Sequence, residues 1–326
     1  MQDARRFNSQ FEVTRTWKLP DVPVQTGDED LEHYLRRIGF TDEQIRYTQR
    51  SYVNAAGDAI RYLSAEAYLE DMRDESCGSG DFRIMDGYDR LIQHLASSLE
   101  IHLNTPVNRL EWSADGVRAI TPSGTFEAEQ VIITASLGVL QAGLIEFVPA
   151  LPPEKLHAIQ ALRMGPGIKL ILKLNDHPVP RSIMAIYSDK NPPMWWSPSF
   201  GHDSDDIIWT ALATGDHARW LLEKGEQGAL NAALETLRLE CDRPDLQVLD
   251  AHLVNWPADP YIQGGYSVTP PGQQSQRAAL AQPVSDVLFW AGEATMSSVY
   301  TATVHGAHAS GERAAIEVLN RMQASS

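Results

Sequence analysis

Cysteine is scarce in this chain: among 326 residues there are two, Cys77 and Cys241. They form no CxxC pair and join no Cys/His cluster with zinc spacing. That excludes a zinc ribbon and a disulfide framework, and fits two free thiols in a reducing compartment. Positive charge is also short, with 27 Lys and Arg against 43 Asp and Glu and a formal net charge of -16. Phosphate-backbone binding needs clustered cations, so nucleic acid is not an expected partner. An acidic surface instead draws cationic partners at a distance, or only confers solubility. No apolar run approaches the roughly 20 residues that span a bilayer. The opening MQDARRFNSQ has no hydrophobic signal core, so neither a membrane nor a secretory route is expected, and a cytoplasmic location is. Internal repeats and low-complexity tracts are missing too.

What is present suffices for two domains: 43% of the residues are hydrophobic and 21% charged, an ordinary globular balance. Residues 1–80 read as mostly helical. Leu31, Tyr34, Leu35 and Ile38 share one helical face. Thr41 and Gln44 have capping-box spacing, and Ser64 opens another helix. Asp74 to Asp81, DESCGSGD, reads as a loop. Tyr88 to Leu99 predicts an amphipathic helix and Ile101 to Leu103 a short strand. Strands at Val107 to Trp112, Val117 to Thr121 and from Thr125, separated by turns at Ser113–Gly116 and Ser123–Gly124, predict a β-meander. The continuous apolar run in Gln130 to Thr134 predicts a strand buried on both faces of a parallel sheet. Residues 151–270 read as an inserted domain, with strands at Ile168–Leu174 and Ile207–Leu212 and helices at His217–Leu222 and Gly228–Leu239. Residues 271–326 close the chain with a buried strand, Val287–Trp290, a loop, and a long helix from about Val304 to Met322.

The chemistry concentrates in Leu288 to Leu319, LFWAGEATMSSVYTATVHGAHASGERAAIEVL. An apolar strand ends in Ala291-Gly292-Glu293, a polar loop follows, and a helix begins near Thr303-Val304. Gly306, Ala307, Ala309 and Gly311 let its first turns approach a neighbour closely. A helix N-terminus receives an electron-rich group, and Glu293 can accept hydrogen bonds from ribose or ribityl hydroxyls. The alternative is an ordinary strand–loop–helix with a small-residue packing face.

This segment resembles the C-terminal flavin motif of the flavin-containing amine oxidases: monoamine oxidases, polyamine oxidases and lysine-specific histone demethylases. In that family the strand–AGE–loop–TVHGA–helix unit closes around the isoalloxazine and ribityl chain. Three further segments agree in order. Phe82–Tyr88 is similar to the family's entry into a helix of its Rossmann domain, with Asp86 where glycine is usual. Val107–Trp112 through Val131–Leu140 resembles the adenine-side meander and its exit, with Ser136 where proline is common; the residue matching Val107 meets adenine through its backbone. Trp256–Tyr266 matches the family's Trp…Asp-Pro…Gly-x-Tyr unit, in which Trp256 would pack beside the flavin and Tyr266 would wall the substrate site.

Lys169 follows a glycine-bearing turn into an apolar strand. Such a lysine is costly unless it is paired, shifted in pKa, or snorkelled to water. By resemblance it holds a water against flavin N5. His305 and His308 lie at i and i+3, with no third or fourth metal ligand in the sequence, so no metal is expected. The Met296–Tyr300 loop carries no cysteine, so the resemblance implies non-covalent FAD. Trp195-Trp196 can line a pocket or pack as core.

A dinucleotide-binding unit should open on a strand and GxGxxG. Gly78-Ser-Gly80-Asp-Phe-Arg83 lacks the last glycine and follows no apolar strand, so it does not qualify. The expected fold class is therefore α/β with an α+β insertion: an incomplete Rossmann-like FAD-binding domain plus an amine-oxidase substrate domain. Its expected parts are substrate-domain helices over 1–80, FAD-domain segments over 81–150 and 271–326, and the substrate domain over 151–270. The implied activity is oxidation of an amine C–N bond to an imine, with O2 reduced to hydrogen peroxide. No arginine can be placed against a substrate carboxylate, which favours a small-molecule amine over an amino acid. The expected site residues are Lys169, Trp256, Tyr266 and Thr303 at the reaction, with Val107, Trp256, Gly292, Glu293, Thr303 and Val304 on FAD. The expected partner is a second chain supplying the GxGxxG segment, or a homo-oligomer; alternatively the chain is a processed or truncated piece of a longer one that carries the segment. The competing reading is a non-catalytic interaction or regulatory protein with a relic amine-oxidase fold.

Overall fold

The computed structural model describes residues 22–50, 53–73, 84, 87–202, 204–297 and 300–325. The Asp74–Asp81 loop, Cys77, the Gly78–Arg83 segment and Asp86 lie outside the described residues. The chain divides into two compact units. One takes the described residues up to Glu66 together with Gly165–Pro257 and Pro270–Gly272. The other takes Ala67–Met164, Ala258–Thr269 and the described residues from Gln273 onward.

The first unit is built on a five-stranded sheet. Its order across the sheet is Val248–Asn255, Gly167–Leu174, Ile208–Thr214, Met194–Trp196 and Ala185–Tyr187. Each neighbouring pair is antiparallel. Side chains alternate between faces along a strand, and one face is consistently apolar. Ile168, Leu170, Leu172, Trp195, Trp209, Ala211 and Ala213 are buried there. Helices Gly215–Leu222 and Gly225–Cys241 contribute Ala218, Leu221, Ala229, Ala233 and Leu237 to the same core. The described residues between 22 and 73 are mostly helical, as expected. Helix Leu31–Arg37 buries Leu31, Tyr34 and Leu35. The capping box ahead of helix Asp42–Arg50 is reciprocal: Thr41 N–H donates to Gln44 Oε1 at 2.8 Å, and Gln44 N–H to Thr41 Oγ1 at 3.3 Å. Asn54 is buried and accepts from the Thr214 N–H and hydroxyl while donating to the Leu212 carbonyl.

The second unit holds the meander. Gly124–Ala128, Gly116–Thr121 and Arg109–Ser113 pair in that order, antiparallel, and Glu146–Val148 adds in parallel to Arg109–Ser113. Val131–Ile133 pairs in parallel with Leu288–Trp290. Their core includes Leu110, Val117, Ile133, Ile159, Leu288 and Trp290. Lys155, on helix Pro153–Ala161, is buried in this unit. Its ammonium donates to the carbonyls of Ala279, Leu280 and Gln282 at 3.0, 2.6 and 2.6 Å, capping the end of helix Ser275–Ala281.

Two expectations fail here for one physical reason. Ile101–Leu103 is not a strand, and Leu103 is 78% exposed. Val131–Ile133 is not buried on both faces, since Ile132 is exposed. A strand needs a ladder partner and a parallel strand needs cover on both faces; among the described residues nothing provides either. Helix Tyr88–Ala96 shows the same shortfall: it is amphipathic as expected, yet buries none of its residues. Among the described residues no helix is long and apolar enough to cross a membrane.

Candidate active site

In the second unit the site is built on the end of a buried strand. Leu288–Trp290 is almost wholly excluded from solvent and leads into Gly292 and the 3-10 turn Glu293–Thr295. Two side chains of the closing helix, Val304–Ser325, tie down this turn. Ser310, fully buried, accepts from the Gly292 N–H at 2.8 Å and donates to the Ala307 carbonyl at 2.6 Å. Arg313 donates to the Trp290 carbonyl at 2.8 Å and to Thr295 Oγ1 at 3.0 Å. Gly306 meets the expected close approach: a Cβ there would lie 1.8 Å from the Tyr300 carbonyl oxygen. A Cβ on Gly311 would meet no protein atom within 4 Å.

Thr303 works as a helix cap. Its hydroxyl accepts from the Gly306 N–H at 3.0 Å and donates to the Tyr300 carbonyl at 3.0 Å. It thus occupies one of the donors that the helix start offers. Val304, first in the helix, is exposed. Val107 is half-buried, two residues ahead of strand Arg109–Ser113.

Glu293 is half-buried and points back at the strand Tyr266–Val268. Oε1 accepts from the Ser267 N–H at 3.0 Å, and Oε2 from the Ser267 hydroxyl at 2.6 Å. Tyr266 is the preceding residue. Burial pushes its phenol above the ordinary tyrosine range, and the Glu293 charge pushes it the same way. The loop into Tyr266 is fixed from the meander exit. Ser136 caps helix Leu137–Gln141 and donates to the Ile262 carbonyl at 2.6 Å. A Cβ on Gly138 would fall 2.6 Å from the Gln263 carbonyl oxygen, so only glycine lets the two segments meet. The serine that departs from the resemblance is therefore a working anchor.

In the first unit Lys169 leaves the apolar face to its neighbours. It lies on the opposite face and is exposed, in register with Leu212 on one side and Val254 on the other. Its ammonium is 5.7 Å from the centroid of the Trp196 ring. The tryptophan pair divides by the period of the strand: Trp195 is in the core, with its indole N–H on the Pro192 carbonyl at 3.0 Å, and Trp196 shares the face of Lys169. Trp256 follows strand Val248–Asn255 and is 39% exposed. The structure thus brings Lys169 and Trp256 into one unit, and Tyr266, Gly292, Glu293, Thr303, Val304 and Val107 into the other. The contacts of Arg277, Ser267, Ser136 and Gly138 were not legible in the sequence, because they join segments distant along the chain.

The family model for flavin containing amine oxidoreductases matches residues 6–319. The chain belongs to that family. Human lysine-specific histone demethylase 2 is 26% identical over 346 residues, which span 96% of this chain and 40% of the demethylase. Polyamine oxidase 4 of Oryza sativa subsp. japonica is 30% identical over 243 residues, 73% of this chain and 49% of that protein. The chain thus spans half or less of the length of these curated relatives. Among solved structures, cyclohexylamine oxidase from Brevibacterium oxydans IH-35A superposes with a TM-score of 0.78 at 16% identity, covering 99% of this chain and 76% of that one. A putrescine oxidase bound to putrescine gives 0.74 at 17% identity, covering 90% and 68%. The fold is that of FAD-dependent amine oxidases, and FAD is the cofactor of the family. The residues fit one end of it. Glu293 keeps acceptor capacity beyond Ser267, since a carboxylate takes about four hydrogen bonds, and the Gly306 contact fixes the turn before the closing helix. No stretch of the sequence fits the pyrophosphate.

Proposed function

We propose that this protein oxidises the C–N bond of a small-molecule amine using non-covalently held FAD, and that a partner chain or a missing N-terminal segment supplies the glycine-rich βαβ unit for the pyrophosphate. The observation that carries the reading is the fixed Glu293 turn, locked to the closing helix by Ser310 and Arg313 and to the Tyr266 strand by Ser267. Bound FAD would supply the two-electron oxidation of the amine to an imine that water hydrolyses, with dioxygen as the terminal electron acceptor.

Each residue has a defined task. Glu293 accepts from a ribityl hydroxyl, Gly292 and the Thr303–Val304 helix start border the flavin, and the Val107 backbone meets adenine. Tyr266 walls the substrate. Thr303 is smaller than an aromatic side chain, so the amine site is open on that side. Lys169 holds a water by its ammonium. The acidic balance of the chain, -16, raises the local concentration of cationic amines, and a polyamine oxidase stands among the relatives.

For the partner, the support is uncovered apolar surface in the second unit. Tyr88, Leu91, Ile92 and Leu95 of one helix are exposed, as are Leu103 and Ile132. An exposed apolar helix face of this kind marks an interaction site or an aggregation hazard. The test is to purify the chain alone and with the product of a neighbouring gene, and to record visible spectra. Flavin colour only with the partner, and peroxide formed from monoamines or polyamines, is the expected result. Absence of flavin in both preparations, with folding verified by circular dichroism, would replace this reading with the relic interaction protein.

A further inference from the structure

Arg277 is a buried charge for which the family resemblance gives no use. It lies on helix Ser275–Ala281 and is 2% exposed. Nε donates to Thr269 Oγ1 at 2.8 Å, Nη1 to Ser267 Oγ at 2.8 Å and to the Ala294 carbonyl at 3.2 Å, and Nη2 to the Ser267 carbonyl at 3.3 Å. One guanidinium therefore grips both the strand that carries Tyr266 and the turn that carries Glu293.

The direction of these bonds is forced. Arginine has only donors, so the Ser267 oxygen must accept from Arg277. The single Ser267 proton is then free only for Glu293 Oε2, 2.6 Å away. Without Arg277 the hydroxyl is a rotor that can turn elsewhere. Burial draws the Arg277 pKa down to about 10, while Glu293 and Asp71 oppose that fall, so the group stays charged near neutral pH. A buried cation is weak evidence for stability, because an apolar residue of similar volume often serves as well. Its place beside a half-buried carboxylate points to orientation.

We propose that Arg277 is a positioning residue which, through the Ser267 hydroxyl, aims the Glu293 carboxylate at a ribityl hydroxyl of FAD. This rests on the flavin reading above. The test is a double-mutant cycle on FAD affinity, measured by fluorescence titration of the protein together with any chain that co-purifies. Arg277→Met should weaken FAD by about 10- to 100-fold when Glu293 is present, the range for a hydrogen bond to a charged group. In a Glu293→Gln background the same change should cost less than about 3-fold, because coupled residues are not additive. Ser267→Ala, a smaller perturbation, should repeat this pattern, and Arg277→Lys should recover part of the loss. Equal losses in both backgrounds would reduce Arg277 to a structural part and overturn the proposal; so would a Ser267→Ala variant that binds FAD as wild type does. A folded wild-type preparation that binds no FAD would overturn the flavin reading itself, and this proposal with it.

Discussion

Replacing Lys155 with Met keeps an unbranched side chain, one atom shorter, and removes the three ammonium protons. Those protons occupy three carbonyls at the end of helix Ser275–Ala281, at 2.6 to 3.0 Å, and the ammonium lies 4.6 Å from the Trp290 ring centroid. Burial pushes the Lys155 pKa down to about 7, and Arg313 adds to the fall. Desolvation of the ammonium thus offsets part of what the bonds contribute. Three buried carbonyls left without a donor cost about 1–3 kcal/mol each. Lifting the penalty on a buried charge returns several kcal/mol. We expect a net loss of about 3 kcal/mol, in line with breaking other buried charge contacts. At about 2–4 °C per kcal/mol for a unit of this size, the Tm should fall by about 6–12 °C. Near-ultraviolet circular dichroism, with Trp290 against the ammonium, follows the melt. A Lys155→Met variant melting within about 2 °C of wild type would refute the assignment of those carbonyls to this one side chain.

His217, whose Nδ1 meets Asn191 Oδ1, is pushed down to about 4 by burial, with Arg50 acting the same way and Asp216 opposing. The folded state disfavours its proton, so this stability is full above pH 6.5 and is lost as pH falls toward 4. His217→Gln should flatten that limb of the Tm–pH curve, by at most about 3 kcal/mol, and identical curves would contradict it. Gly306→Ala drives a Cβ into the Tyr300 carbonyl; it should displace the turn ahead of the closing helix and cost about 2 kcal/mol or more, read as a fall in Tm. The tryptophan pair should separate by role. Trp195→Ala should destabilise by about 3–5 kcal/mol. Trp196→Ala should leave the Tm nearly unchanged while lowering kcat/KM for amines; equal melting losses would place both rings in the core.

Legibility followed the range of the interaction. The Thr41–Gln44 box, the meander and the closing strand–turn–helix each lie within a few residues of sequence, and each formed where the pattern put it. The face of Lys169 was left open by sequence, because alternation alone does not say which side of the sheet the helices cover. Ile101–Leu103 has strand composition yet is no strand, because pairing depends on a partner and not on the run itself. Arg277 and Lys155 carry no local sequence signal of burial. Their burial comes from carbonyls and hydroxyls that lie 8 to 17 and 124 to 127 residues away respectively, which no local pattern reports.

Flavin reduction by an amine without oxygen bears most directly on the central claim. Protein purified with its partner should lose its visible flavin absorbance on anaerobic addition of a polyamine or monoamine. Air should then restore the colour quickly in wild type and slowly in a Lys169→Met variant. Flavin that keeps its colour through anaerobic exposure to every amine tried, in folded protein, would contradict the assignment of amine oxidation to this chain.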